Sequence, residues 1–136
     1  MQQRNLVLIL ATDLADKLAS AVFVVDADGR IVYFNQHAEE IMGRTFADVG
    51  PADLERFLES FSPTDTDGHP MKPADLPISI ALNEQRPIHK PVRIKRDEDE
   101  VEIGVTALPL FARSQDFVGA AAIFWVHEDT DAPGDA

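Results

Sequence analysis

The 136-residue chain has no cysteine, one tryptophan, one tyrosine, and twelve lysines and arginines against 24 aspartates and glutamates. Without a thiol it forms no disulfide, thiolate metal site or Fe–S cluster, and it has neither a cysteine nucleophile nor a sulfur-linked chromophore. The net charge of −12 repels a phosphate backbone, and no basic block is longer than Lys95-Arg96. Direct nucleic-acid binding is disfavoured, as is attraction to an anionic membrane surface. Long apolar runs are also missing. Leu6 to Ala11 is soon interrupted by Asp13, Asp16 and Lys17, well short of the ~18 residues that mark a membrane span. Ala19-Ser20-Ala21 therefore resembles a signal-cleavage site only superficially, and a cytoplasmic, soluble chain is expected.

What is present suits one globular domain. The chain is 45% apolar, enough to fill one core at this length. Residues 1–20 read as an amphipathic helix, 21–128 as the folded core, and 129–136 as a disordered acidic tail. In the first segment Leu6, Leu10, Leu14 and Leu18 recur at a spacing of four, with Asp13, Asp16 and Lys17 as polar positions, which predicts a helix over Leu6 to Ala21.

Ala21 to Val25 and Ile31 to Phe34 flank Asp26-Ala27-Asp28-Gly29-Arg30, a hairpin whose Gly29 can take the left-handed conformation of a tight turn. Asn35 can cap a short helix with Ala38, Ile41 and Met42 inward, and Gly43 can end it. After Pro51, Leu54, Phe57, Leu58 and Phe61 keep helical spacing. Ser62 to Pro73 reads as a loop, and Asp75 is placed to cap a third helix, Leu76 to Gln85, with Pro77 tolerated in its first turn.

The last third alternates with period two. Val92 and Ile94 form one strand, Val101, Ile103, Val105 and Ala107 a second, and Phe117 to Val126 a third, with the acidic run Asp97 to Glu100 as a solvated turn. Residues 21–25 and 117–126 are apolar on both faces, so they belong at the centre of a sheet covered on both sides. Helices meet one face; the N-terminal helix, of this chain or of a partner, is the expected cover for the other.

This order of elements resembles the PAS family over roughly residues 12–129. The more specific likenesses are Val24-Val25-Asp26-Ala27-Asp28-Gly29-Arg30-Ile31-Val32-Tyr33-Phe34-Asn35, then Asp67-Gly68 through Leu76-Pro77 to Ala81-Leu82. Val105 to Pro109 and Phe117-Val118-Gly119 to Trp125 match the last two strands. The resemblance implies an α+β PAS fold: a five-stranded antiparallel sheet of order 2-1-5-4-3, with short helices on one face and a cupped interior. It also implies a sensory, non-enzymatic role in which a small apolar ligand or metabolite regulates a partner such as a kinase or transcription factor.

The candidate pocket residues are Met42, Phe46, Phe57, Leu58, Ile80, Ile94, Val105 and Phe124, although residues of these types are core by default. The candidate homodimer interface is Leu6, Val7, Leu10, Leu14 and Trp125. The cofactor is left unknown. Cysteine-dependent flavin and chromophore subtypes are excluded, and haem is disfavoured because the Leu76 to Gln85 helix has no histidine, while His37, His69, His89 and His127 suit surface or capping roles. With no output domain in the sequence given, signalling is expected to run through an interface, or the chain is part of something longer.

Other readings are weighed against this one. A ligand-free adaptor would dock its partner through the sheet face or the N-terminal helix around a closed core. A small cone-shaped α+β enzyme would need a buried carboxylate beside a base, whereas every Asp and Glu here falls in a turn, a cap or a polar helix face. Asp26, Asp28, Asp65 and Asp67 match no calcium loop and read as turn residues.

Overall fold

The computed structural model describes residues 2–17, 20–96, 99–113 and 116–127. Strand β1 (Ala21–Asp26) is followed by β2 (Ile31–Phe34), and β3 (Ile88–Lys95), β4 (Glu100–Phe111) and β5 (Phe117–Val126) complete an antiparallel sheet of order β2-β1-β5-β4-β3. Central placement of β1 and β5 agrees with their two-sided apolar character. In β1, Ala21, Phe23 and Val25 join the main core while Val22 and Val24 join a separate cluster on the opposite face.

Local chemistry explains the turns. The Asp26 carboxylate accepts the backbone N–H groups of Asp28 (3.0 Å) and Arg30 (3.1 Å), and Gly29 has φ +83°. Helix α2 (Gln36–Met42) starts at Asn35, whose side-chain oxygen accepts N–H bonds from Ala38 (3.0 Å) and Val22 (3.1 Å), while its amide donates to the Ser20 carbonyl (2.9 Å). Buried Asn35 thus caps the helix and locks it to β1 in one step. Gly43 ends the helix in the left-handed conformation.

Three expectations need correction. Helix α1 spans Gln2–Lys17 and not Leu6 to Ala21, because Ala21 is drawn into the ladder opposite Phe124. A further short helix, α3 (Phe46–Val49), precedes α4 (Leu54–Glu59); its cap is Thr45, whose hydroxyl accepts from Asp48 N–H at 3.1 Å. Asp75 does not cap the next helix. It closes a 3-10 turn, Pro73–Asp75, and α5 (Pro77–Glu84) starts from Leu76 without a side-chain cap, its Pro77 occupying the first turn.

Helices α2, α4 and α5 cover the inner face, where Phe23, Phe34, Phe57 and Phe61 form a chain of aromatic contacts with centroids 5.1–5.9 Å apart. The outer face of β1 and its neighbours is covered by this chain's own α1: Leu8 and Ala11 pack against Val22 and Val24, as do Val32, Tyr33, Leu110, Ala121 and Ile123 from the sheet. The acidic tail 129–136, Leu18 and the Asp97-Glu98 half of the acidic turn lie outside the described residues.

Candidate functional site

Between the sheet and the helices lies an apolar cavity of about 70 Å³. Its floor comes from alternate residues of neighbouring strands, Val92 and Ile94 of β3, Ile103 and Val105 of β4, Ala122 and Phe124 of β5, with Phe23 of β1. Met42, Leu58, Phe61 and the Leu76-Pro77-Ile78 start of α5 close it from the helical side. The volume is about that of two liquid waters and several-fold below the ~300 Å³ at which drug-sized ligand pockets begin. Its wall offers a haem iron no histidine ligand and a flavin no thiol for a covalent adduct.

Of the sequence-predicted pocket residues, Met42, Leu58, Ile94, Val105 and Phe124 line this cavity, whereas Phe46, Phe57 and Ile80 do not. Phe57 stacks on Phe23 and Phe34, and Phe46 meets Phe34 and Tyr33 edge-on. Phe23, Val92, Ile103 and Ala122 were not among the candidates. Val92, Ile103 and Ala122 follow from stepping in twos along each strand from Ile94, Val105 and Phe124, since such residues share a sheet face, whereas Phe23 lies on β1, which held no candidate.

The outer face holds the second set of candidates. On α1, Leu6, Ile9, Leu10 and Leu14 are 52–58% exposed and Val7 is half-buried. The leucine stripe therefore points away from the sheet, and the inward contacts are made by Leu8 and Ala11. Trp125 lies on the same side of the sheet, paired with Gly104, 39% exposed and stacked on the His89 ring at a centroid distance of 5.7 Å. A β-carbon at Gly104 would fall 2.7 Å from indole atoms of Trp125, so the bare backbone of β4 is what lets the ring lie flat.

Charged groups cluster at the strand ends. Glu102 bonds His127 Nδ1 (3.0 Å) and Arg93 Nε (3.3 Å), and the His127 and Arg93 contacts hold its carboxyl below the ordinary range. Asp65, Asp67 and His69 place ligand atoms within 4.8 Å of one another in an exposed turn. There the Asp65 carboxylate accepts the N–H groups of His69 and Asp67 (both 2.9 Å), which lowers its pKa and makes it a turn-stabilising group. His37 is exposed on α2.

A family model described as the PAS fold matches residues 15–130. The chain belongs to the PAS family. Solved PAS structures share its architecture. The PAS domain of Bordetella pertussis BvgS superposes with TM-score 0.64 at 14% identity, covering 91% of this chain and 88% of that one. The PAS domain of nitrogen regulation protein NR(II) from Vibrio parahaemolyticus gives 0.61 at 16%, covering 87% and 98%. The Rhodobacter sphaeroides LOV protein gives 0.69 at 17%, covering 97% and 71%. No curated protein matches the chain by sequence. At these identities the structural likeness shows the fold alone, and leaves ligand and partner to the PAS chain's own residues. No helix among the described residues is long and apolar enough to cross a membrane.

Proposed function

We propose that this chain is a homodimerising PAS signalling module, paired through the outer face of α1, that regulates a partner protein such as a kinase or transcription factor. The observation that carries this reading is the two-sidedness of α1: one side is buried against its own sheet while Leu6, Ile9, Leu10 and Leu14 remain more than half exposed. Fully burying each such side chain contributes about 1.5–3 kcal/mol. A second copy offers the same stripe, which suits a two-fold interface, and Trp125 and Leu108 extend the exposed apolar surface on the outer face of the sheet. The core cavity serves as the sensor for a guest of a few heavy atoms and apolar character, because its volume and wall favour nothing larger or charged.

No carboxylate is buried among the described residues, which favours binding over catalysis. The test is sedimentation equilibrium of the wild type and Leu10→Glu/Leu14→Glu. A wild-type dimer and a folded monomeric variant support pairing through α1; a variant of unchanged dimer mass, or a monomeric wild type, overturns it.

A further inference from the structure

The core cavity has a wall residue that also reaches solvent. Of the described side chains that line it, Leu58 of α4 is half-buried and the rest are buried, the Leu76-Pro77-Ile78 start of α5 included. The thinnest cover therefore lies at the C-terminal turn of α4. This helix has six residues, too few to be stable alone, so it depends on what it packs against. The chain leaves it through Ser62 at φ +47°, a left-handed conformation that is uncommon and strained outside glycine.

Arg44 lies across that turn. Just past the left-handed exit of α2 at Gly43, its guanidinium donates to the Ser60 hydroxyl oxygen (2.7 Å) and sits over the rings of Phe61 and Phe57, 4.5 and 5.8 Å from their centroids. Ser60 in turn donates to the Phe57 carbonyl (2.6 Å). Among the described residues no carboxylate pairs with Arg44. A hydroxyl and two ring faces carry the contact, and a cation on a solvent-facing ring is held weakly enough to release.

We propose that the Leu58 to Phe61 turn of α4 is the door of the core cavity and that Arg44 is its latch: the turn lifts to admit an apolar guest, and Arg44 on Phe61 and Ser60 holds it shut. The guest's part in this rests on the reading of the cavity as a sensor. The Phe61 carbonyl accepts the Lys95 N–H of β3 (2.8 Å), so lifting the turn breaks a bond that amide exchange reports directly.

The test compares the full wild-type chain with Arg44→Met, which keeps an apolar stem over the rings and removes the cation and its donors. With no guest present, amide exchange at Phe57, Phe61 and Lys95 is expected to be several-fold faster in the variant, with the Val105 and Phe124 amides of the sheet unchanged. Ser60→Ala, which removes the hydroxyl half of the latch, should act in the same direction and less strongly. With xenon as the probe, exchange NMR should show entry and exit several-fold faster in Arg44→Met while affinity changes by less than about two-fold, because a latch alters the path and not the site. Equal acceleration of helix and sheet amides, or unchanged α4 exchange in the folded variant, would overturn the latch. Xenon rates that stay the same while α4 opens faster would overturn the door. A wild type that takes up no xenon, with α4 amides that still respond to Arg44→Met, would retire the sensor reading and leave the latched turn standing.

Discussion

A methyl group added at Gly104 or at Gly119 meets very different obstacles, although both glycines sit in central strands. At Gly104 the new β-carbon collides with the exposed indole of Trp125, a side chain that can swing away; at Gly119 it lands 2.1 Å from the Val25 carbonyl oxygen, with φ at +154°. Gly104→Ala is therefore expected to cost less than about 1 kcal/mol and to change the emission of the chain's one tryptophan as it leaves His89, whereas Gly119→Ala is expected to cost more than about 3 kcal/mol. Urea unfolding followed by circular dichroism separates the two, and equal losses would refute the packing account. Glu102 supplies a titration at the same scale. Its carboxyl is depressed in the folded chain, chiefly by the His127 hydrogen bond and then by Arg93, so its contribution is complete above the ordinary glutamate value of about 4.3 and is lost as pH falls through the lower folded value. Glu102→Gln should leave a shallower decline of stability in that acid range; an unchanged acid limb would show that the pair carries no stability.

Helix α1 is the element on which the functional reading turns, and its two faces make separable predictions. Leu8→Glu places a charge against Val22 and Val24 and is expected to lower the melting temperature by several degrees, while Leu10→Glu/Leu14→Glu should leave it close to that of an unpaired wild type. If Leu8→Glu melts normally, α1 is not a working part of the fold. The sequence pattern shows that this segment is helical and apolar, but not which side goes inward. Leu6, Leu10 and Leu14 make the more regular stripe, yet the sheet takes Leu8 and Ala11, because the unbroken apolar run Leu6 to Ala11 goes all the way round the helix and leaves no single preferred face there. Elsewhere, legibility follows locality. The Asn35 cap, the Gly29 turn and the left-handed exit at Gly43 are settled by a few adjacent residues, and all are readable. Helix α3 is absent from the sequence reading: four residues are too short to show periodicity, and its Thr45 cap is the only local signal it carries. The Asp75 cap fails because Pro73 and Pro77 divide that stretch into a 3-10 turn and a separate helix.

At the scale of the whole molecule, the PAS order of strands could be inferred because two-sided apolar runs must lie at the centre of the sheet, but the cavity could not. Whether Phe57 lines a void or fills a stack depends on Phe23 and Phe34 reaching it from β1 and β2, contacts that no local pattern encodes. An empty apolar volume of about 70 Å³ costs roughly 1.5–2 kcal/mol at 24 cal/mol per Å³, and a core under selection for stability alone would be expected to close it. Ala122 sits in the cavity floor on β5, where a β-branched side chain suits the strand. Ala122→Val should therefore fill part of the space, raise stability by about 1 kcal/mol and shift the melting temperature up by a few degrees. Xenon under pressure provides the complementary measurement, since apolar cavities stay dry and admit it. In the wild type the methyl signals of Ile94, Val105 and Ile103 should move on xenon uptake, and in Ala122→Val they should not. A variant that is more stable but no longer takes up xenon would mean that the module keeps an open core at the expense of stability, as a sensor of small apolar guests requires. A destabilised variant, together with a wild type indifferent to xenon, would mean that the core is closed and would leave the outer face of α1 and the sheet as the signalling surface.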